Sequence, residues 1–195
     1  DCTGQQVLVT GSTSGIGRAA ALAFGRLGAD VIVHGRDEAA GEAVVDEIEA
    51  AGATATFIEA DFADLNAMEE IAATVRGDTA GLDILVNNAG GLFREGRLTS
   101  AGVEYTFHVN HLAPFLLTAE LVDHLNDDAR IVTTASAAHQ GASLDIDRVE
   151  DVESYSGTWA YSHSKLANIL FTIQLAHRLD PDHRSVTANR VHPRA

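Results

Sequence analysis

Short apolar runs alternate with longer amphipathic segments along this chain. The short runs are rich in β-branched residues and end at polar or glycine residues, which is typical of buried strands. They lie at 6–10, 30–35, 54–59, 82–87, 130–134 and 185–192. The longer segments have the apolar spacing of helices and lie at 18–27, 37–51, 64–76, 100–125 and 158–179. The stretch 136–157 has neither pattern and is predicted to be mostly loop.

The alternation of strands and helices predicts an α/β fold. Strands separated by helices pair in parallel, and the helices then cover both faces of the sheet. We therefore predict a Rossmann-like, doubly wound parallel sheet. The 195 residues suffice for one substantial core, and no repeat, linker or low-complexity segment divides them, so 1–195 is predicted to be a single domain.

Composition and charge exclude several classes of partner. The formal net charge is -15, and so acidic a surface repels phosphate backbones and anionic lipids, which argues against a nucleic acid or a membrane surface as partner. No apolar run approaches the roughly 20 residues of a membrane span, so the expected compartment is the cytoplasm. The single cysteine, Cys2, permits no disulfide framework. Acidity with one lysine among 13 basic residues also suggests adaptation to concentrated salt.

A small, glycine-rich segment follows the first predicted strand. It reads Gly11-Ser-Thr-Ser-Gly15-Ile-Gly17 and precedes a predicted helix. Glycine lets the backbone approach a ligand closely, and a helix N-terminus offers amide donors to a phosphate. The spacing matches neither a P-loop nor Gly-x-Gly-x-x-Gly, and a flexible turn that needs glycine dihedrals is the alternative. The position after the first strand of an alternating pattern favours a nucleotide site.

The end of the second predicted strand bears on which dinucleotide would bind. A carboxylate there hydrogen-bonds an adenosine ribose and repels a 2′-phosphate. This chain has Gly35 followed by Arg36. Arginine pairs bidentately with phosphate, so we expect NADP(H) rather than NAD(H). The alternative is that Arg36 is a solvated loop residue that pairs locally with Asp37.

A tyrosine and a lysine lie four residues apart in the last predicted helix. This spacing places Tyr161 and Lys165 side by side on one helix face. Lys165 is also the single lysine of the chain. The alternative is an ordinary helix with a chance pair, because Tyr-x-x-x-Lys alone is a weak pattern.

Six motifs within 6–193 resemble, in order, those of the short-chain dehydrogenase/reductase family. They are Thr10-Gly11-x-x-x-Gly15-Ile16-Gly17, Asn87-Asn88-Ala89-Gly90, Asn110 within HVNHLAPFLLT, Ser136 after the fifth strand, Tyr161-x-x-x-Lys165, and Val191-His192-Pro193. The sub-patterns YSHSKLANILFT and VNHLAPFLLT resemble the retinol-dehydrogenase-like branch. The resemblance implies an oxidoreductase that transfers a hydride between NADP(H) and a secondary alcohol or carbonyl substrate.

The resemblance also implies four catalytic residues. Tyr161 would be the general acid/base at the substrate oxygen, and Lys165 would support it and bind the nicotinamide ribose. Ser136 would orient the substrate oxygen, and Asn110 would hold a water of the proton relay. The alternatives are that Ser136 is a turn residue and Asn110 a polar group inside a helix.

A cofactor-binding set follows from the same resemblance. Asp61 resembles the family's adenine-contacting acid, although a helix cap is the alternative. The full set is Thr10, Gly11, Ser14, Gly15, Ile16, Gly17, Arg36, Asp61, Phe62, Asn88, Ala89, Gly90, Tyr161 and Lys165. No metal site is expected, because no nearby carboxylate completes a cluster with His108 and His111.

The chain stops where family members continue into a substrate lid and a seventh strand, so we expect 185–192 to form an edge of the sheet. A nucleotide-binding scaffold with little catalysis is therefore an alternative function, and an epimerase or dehydratase with bound cofactor is another. The expected partner is a small-molecule alcohol or carbonyl compound. The resemblance further implies a homo-oligomer, a dimer or a tetramer, paired through the helices at 100–125 and 158–179.

Overall fold

Six parallel strands form the centre of the computed structural model, which describes residues 1–179 and 185–193. They are β1 (Gln6–Val9), β2 (Asp30–Gly35), β3 (Ala55–Glu59), β4 (Leu82–Asn87), β5 (Leu125–Thr134) and β6 (Thr187–Val191). The strand order is β3-β2-β1-β4-β5-β6, and every pairing is parallel. The predicted doubly wound sheet is confirmed. The order reverses between β1 and β4, where such sheets bind nucleotides at their carboxyl edge.

Helices cover both faces of this sheet. They are α1 (Gly15–Arg26), α2 (Glu38–Ala50), α3 (Asn66–Asp78), α4 (Tyr105–Phe107), α5 (Ala113–Leu121) and α6 (Gly157–Leu179). A π turn (His108–Leu112) joins α4 to α5, and 3₁₀ turns lie at Val122–His124, Ala137–His139 and Ile146–Glu150. In the part of the chain that the structure describes, no helix combines the length and the apolar character needed to cross a membrane.

The core consists of two apolar layers, one on each face of the sheet. Side chains alternate between the faces of a strand, so Leu8 of β1 packs with α3 and α5, whereas Val7 and Val9 pack with α1 and α2. All three are fully buried. Full burial of an aliphatic side chain of this size contributes about 1.5–3 kcal/mol, and these layers fix the carboxyl edge of the central strands.

The long helix predicted over 100–125 is shorter in the structure. Gly102 has a φ of +74° and closes a turn by donating its amide to the Thr99 carbonyl at 2.9 Å. The helix begins at Tyr105, because the Glu104 carboxylate caps it by accepting hydrogen bonds from the amides of Thr106 and Phe107. The π turn then interrupts the helix before α5. Apolar periodicity runs through all three elements and therefore predicted one helix.

The two last strands also differ in extent from their predicted ranges. β5 begins at Leu125, which pairs with Leu82 of β4 before the register shifts. Asp128 has a φ of 64°, and this irregularity hides the early part of the strand from a period-two pattern. β6 lies at an edge of the sheet, as expected, and most of its residues are exposed.

Candidate active site

The glycine turn (11–17) between β1 and α1 presents backbone amides at the carboxyl edge of the sheet. Gly11 has a φ of 62°, which lies in the left-handed region that favours glycine. A side chain at Gly17 would overlap the Gly11 carbonyl and the side-chain amide of Asn88. Among the described residues, Ser14 makes no capping hydrogen bond and the first turn of α1 contains no acid. The amides at the start of α1 are therefore available to an anion.

Buried hydrogen bonds hold this turn against β4. The Thr10 hydroxyl donates to the Val86 carbonyl at 3.1 Å and accepts from the amides of Asn88 and Ala89, each at 3.0 Å. The side-chain amide of Asn88 donates to the carbonyls of Thr10 and Gly11 at 3.0 and 3.1 Å. Thr10 is fully buried, so its side chain supports the turn from behind.

A buried histidine at the end of β2 holds the turn from the other side. Nδ1 of His34 accepts a hydrogen bond from the Gly11 amide at 3.1 Å, so the ring proton is assigned to Nε2. The ring lies 4.7 Å from that of Phe62. Burial lowers the pKa of His34 to about 4, against the smaller opposing effects of the Ala60 carbonyl and Asp61. His34 is therefore neutral at pH 7, and no sequence signal revealed its contact with Gly11.

The Arg36 side chain lies at the outer end of the cleft and is 62% exposed. Its Nη1 atom lies 3.8 Å from Oδ2 of Asp61 and donates to the Tyr105 hydroxyl at 3.4 Å. The proposed local partner Asp37 instead caps α2, where its carboxylate accepts from the Ala40 amide at 3.0 Å. Arg36 thus presents a cation at the end of β2, beside the glycine turn.

Asp61 lies in the loop between β3 and α3. Its Oδ1 atom accepts a hydrogen bond from the Ala63 amide at 3.0 Å. This contact forms a local turn, because α3 begins only at Asn66. The helix-cap alternative is therefore wrong, and Asp61 lines the cleft together with Phe62.

Tyr161 and Lys165 lie on the face of α6 that borders the cleft. Nζ of Lys165 is 5.6 Å from the centre of the Tyr161 ring. It donates a hydrogen bond to the Thr134 carbonyl at the end of β5, at 2.9 Å. Lys165 is only 4% exposed, and this burial lowers its pKa to about 8. The structure thus places an ammonium group beside the phenol in a site that excludes most water.

Asn110 lies in the π turn and is fully buried. Its side chain accepts from the Gly91 amide at 2.9 Å and donates to the Gly91 carbonyl and the Ser164 hydroxyl, each at 3.0 Å. Its own carbonyl accepts from the side-chain amide of Asn168 at 2.9 Å. Asn110 therefore ties the loop after β4 to α6 and sets the position of the helix that carries Tyr161.

Ser136 follows the end of β5 and begins a 3₁₀ turn. Its hydroxyl oxygen accepts a hydrogen bond from the Ala138 amide at 3.2 Å. That contact leaves the hydroxyl proton available for donation to another oxygen. The role of Ser136 toward a substrate oxygen stays a prediction.

One cleft of about 570 Å³ joins these features. Thirteen predicted residues line it: Gly11, Ser14, Gly15, Ile16, Gly17, Arg36, Asp61, Phe62, Asn88, Ala89, Gly90, Tyr161 and Lys165. Within the described residues, Thr10, Asn110 and Ser136 lie outside this lining. The lining residues that the motifs did not single out are Thr13, His34, Gly35, Ala60, Gly91, Leu92, Phe93, Val109 and Thr134.

The two histidines of the π turn have partners within the protein. Nδ1 of His108 is 2.7 Å from the Thr99 hydroxyl, and Nδ1 of His111 donates to the Asn168 side chain at 3.0 Å. Across residues 1–179 and 185–193, no group of three or more histidine, cysteine, aspartate or glutamate side chains is arranged to hold a metal ion.

Comparison with known proteins places this site in a family. The family model described as short chain dehydrogenase matches residues 5–195. The chain belongs to the short-chain dehydrogenase/reductase family. The predicted family is therefore confirmed, and its members are oxidoreductases.

Several relatives of this short-chain dehydrogenase/reductase have informative names. DnrU of Streptomyces sp. (strain C5), named for daunorubicin C-13 ketoreductase activity, is 41% identical over 176 residues, which cover 90% of this chain and 61% of that protein. Mouse retinol dehydrogenase 14 is 38% identical over 204 residues, covering 97% of this chain and 60% of the relative. The match confirms the retinol-dehydrogenase-like branch. The chain thus spans about 60% of the length of these curated relatives.

A solved structure gives the same fold. The short chain dehydrogenase of Burkholderia cenocepacia J2315, in complex with NADP, is 35% identical and superposes with a TM-score of 0.83. The match covers 98% of this chain and 74% of that one. The Rossmann-like assignment is therefore supported by sheet order, family model and structural neighbour together.

Proposed function

We propose that this protein is an NADP(H)-dependent oxidoreductase that interconverts a secondary alcohol and a carbonyl compound, with Tyr161 as general acid/base. The observation that carries the proposal is that one cleft contains both the glycine turn and the pair Tyr161 and Lys165. A phosphate-binding element and a proton-transfer group thus border the same space. Membership of the family gives the oxidoreductase class.

The lining of the cleft fits a dinucleotide. Gly90 has a φ of 151°, and a Cβ atom there would lie 2.7 Å from Oδ1 of Asn110 and 3.7 Å from Nζ of Lys165, so glycine keeps this space open. The amides at the start of α1 would bind the pyrophosphate, Arg36 the 2′-phosphate, and Lys165 the nicotinamide ribose. The Burkholderia relative in complex with NADP supports this choice of cofactor. When bound, NADP(H) supplies or accepts the hydride.

Lys165 supplies positive charge where Tyr161 exchanges a proton. A nearby cation favours the ionised form of a phenol. With a pKa of about 8, Lys165 is still mostly charged at pH 7, and its hydrogen bond to the Thr134 carbonyl fixes the position of that charge. Tyr161 then donates a proton to the carbonyl oxygen during reduction, and accepts one from the alcohol during oxidation.

Ser136 and Asn110 complete the proposed machinery in different ways. Ser136 would donate its hydroxyl proton to the substrate oxygen while its own oxygen accepts from the Ala138 amide. Asn110 would hold a relay water through its environment behind Lys165. The observed hydrogen bonds of the Asn110 side chain to Gly91 and Ser164 support a positioning role as well.

The proposed substrate is a moderately apolar alcohol or ketone. Leu92 and Phe93 line the cleft, and Leu92 is 52% exposed there. Relatives are named for retinol and for a daunorubicin ketone. A structural neighbour, the reductase LugOII, is titled a promiscuous reductase that catalyses keto-reduction at C1 during lugdunomycin biosynthesis; it is 34% identical with a TM-score of 0.79.

A second copy of the chain is the proposed partner protein. An apolar groove between α5 and α6 includes Phe115 and Leu170, which are 41% and 43% exposed. Apolar patches of this kind mark interaction surfaces. Light scattering on the purified protein would separate the expected dimer or tetramer from a monomer.

The test of the proposed function is cofactor consumption. Purified protein is mixed with NADPH and all-trans-retinal or daunorubicin as carbonyl probes, with NADH in parallel, and the absorbance of the reduced cofactor is followed. We expect NADPH to be consumed faster than NADH. NADPH that binds, as measured by calorimetry, but is not consumed with any of a wide panel of carbonyls would favour the nucleotide-binding scaffold instead.

A further inference from the structure

Four stacked side chains join α4, α6 and the segment 137–156 that connects β5 to α6. The rings of Phe107 and His163 lie 5.2 Å apart, and those of His163 and Trp159 lie 4.6 Å apart at 17°. The guanidinium carbon of Arg148 lies 4.2 Å from the centre of the Trp159 ring. The stack therefore runs from a buried phenylalanine to a partly exposed arginine of the segment.

His163 also makes a directional contact with the segment. Its Nε2 atom accepts a hydrogen bond from the backbone amide of Asp145 at 2.8 Å, across 18 residues of sequence. Only a neutral ring can accept there, so the ring proton is assigned to Nδ1. The neighbours of Asp145 in the chain, Leu144 and Ile146, are 41% and 56% exposed. Little apolar burial therefore holds this stretch in place, and the hydrogen bond to His163 is a principal tie.

Other ties hold the later part of the same segment. The Val149 carbonyl accepts from the Glu104 amide at 2.6 Å, and the Tyr155 hydroxyl donates to the Phe93 carbonyl at 2.7 Å. These contacts do not involve a titratable acceptor near neutrality. Loss of the His163 contact would therefore release 140–147 while 149–156 stays in place.

We propose that His163 is a positioning residue: its neutral ring holds 140–147 against α6 and so fixes Ser136 relative to Tyr161, and protonation of the ring releases that stretch. The hydrogen bond to Asp145 and the stack with Trp159 carry the inference. The consequence for substrate binding rests on the proposed oxidoreductase function, whereas the release itself does not.

Charged and titratable groups face His163 from each element packed on it. They are Asp145 and Arg148 of the segment and His111 of the π turn. Burial lowers the pKa of His163 below 6.5; Asp145 opposes this effect and Arg148 adds to it. The ring is therefore neutral at pH 7. Below pH 6.5 it gains a proton, and two N–H donors then face each other between Nε2 and the Asp145 amide.

Fluorescence reports this titration directly, because Trp159 is the single tryptophan of the chain and stacks on His163. A protonated imidazole quenches a stacked indole, so we expect the emission of the wild-type protein to fall with a midpoint below pH 6.5. His163→Phe keeps an aromatic ring in the stack and should abolish this transition. His177→Phe is the matched control, since His177 is exposed on the same helix, and it should keep the transition.

Amide exchange tests the release. In the wild type, protection of the Asp145 amide and of the peptide covering 140–147 should fall roughly tenfold through the same midpoint, the factor expected for one hydrogen bond. His163→Phe should show the low protection at every pH, and the peptide covering 149–156 should be unchanged. His163→Gln retains an acceptor but does not titrate, so it should restore protection at pH 7 and remain protected in acid.

Kinetics test the consequence. With the all-trans-retinal probe, His163→Phe should raise KM several-fold with a smaller change in kcat and no change in NADPH affinity, and His163→Gln should bring KM back toward the wild-type value. Equal protection of 140–147 in wild type and His163→Phe at all pH values would overturn the proposal. A fluorescence transition without any change in exchange would overturn it too, even if the enzyme turns over. Altered exchange in a protein that consumes no NADPH would support His163 as the tie while refuting the oxidoreductase function.

Discussion

The cofactor end and the substrate end of the cleft are held by different means. At the cofactor end, fully buried Thr10 and nearly buried His34 bond to the backbone on opposite sides of the glycine turn. At the substrate end, exposed residues flank Asp145, whose amide is held by the single acceptor His163. One end is therefore a rigid part of the core, and the other depends on a few separate contacts. A change at the cofactor end should cost stability and cofactor binding together, whereas a change at the substrate end should alter KM alone.

The largest effect on this comparison is expected from Gly17→Ala. The new Cβ would overlap the Gly11 carbonyl and the Asn88 amide, and overpacking of this kind costs about 1–3 kcal/mol. Displacement of the turn would also remove one or two charge-assisted hydrogen bonds to the cofactor, a loss of about 100-fold in affinity for NADPH. Denaturant unfolding and calorimetric titration measure the two effects.

Gly77→Ala is the matched control for that substitution. Gly77 lies in α3 and has no neighbouring atom within 4 Å of an added Cβ among the described residues. Alanine should raise helix stability there by up to about 1 kcal/mol. If Gly17→Ala resembled this control in both stability and NADPH affinity, the cofactor end would not be the rigid part of the molecule.

Acid should weaken the cofactor end next in size. The pKa of His34 is lowered from 6.5 to about 4 in the folded protein, so the unfolded chain takes up the proton first as the pH falls. The stability is present above pH 6.5 and is lost between pH 6.5 and 4, by about 3 kcal/mol. His34→Asn keeps an acceptor for the Gly11 amide but does not titrate. Its free energy of unfolding should therefore fall less steeply over this range; identical slopes would contradict the assignment.

Lys165 stands where the two ends meet, and removing it should separate stability from turnover. Burial lowers its pKa from 10.5 to about 8, so the charged form is destabilising below pH 8, and the wild type should gain stability between pH 8 and 10.5. Lys165→Met should be more stable by about 2 kcal/mol at pH 7, with that gain vanishing above pH 10.5. Carbonyl reduction should be almost abolished. A less stable variant at pH 7 would show that the Thr134 contact outweighs the burial of charge.

The smallest of these effects concerns cofactor choice. Arg36→Ala should weaken NADPH binding roughly tenfold, the loss expected for one charge-assisted contact with phosphate, and leave NADH binding unchanged. Arg76→Ala, a surface change in α3, is the control. Equal losses for NADPH and NADH would indicate that Arg36 acts on the whole cofactor end rather than on the 2′-phosphate.

The sequence predicted the fold well because the sheet is buried on both sides of its central strands. Apolar β-branched runs such as Val7 to Val9 alternate with helical patterns, and that alternation alone implies parallel pairing. The errors fall where a local bond breaks a continuing pattern. The Glu104 cap starts α4 inside a stretch that reads as helix, and the Asp128 irregularity hides the first half of β5.

The candidate site was predictable at the level of motifs but not of individual contacts. Motif residues such as Gly11 and Tyr161 do line the cleft. Thr10 and Asn110 belong to the same motifs yet are buried behind it, because a motif records which residues occur together and not which way each side chain points. His34 was missed because its partner, the Gly11 amide, lies 23 residues away.

The central claim is that one end of the cleft binds NADP(H) while Tyr161 at the other transfers the proton. The most direct measurement compares Tyr161→Phe with the wild type in two assays, NADPH binding by calorimetry and carbonyl reduction by absorbance. Removal of the phenol should lower kcat about 100- to 10,000-fold, the range for general acid–base catalysis, and change NADPH affinity by less than about twofold, since the phenol is not assigned to phosphate binding. Undiminished turnover in Tyr161→Phe would contradict the account.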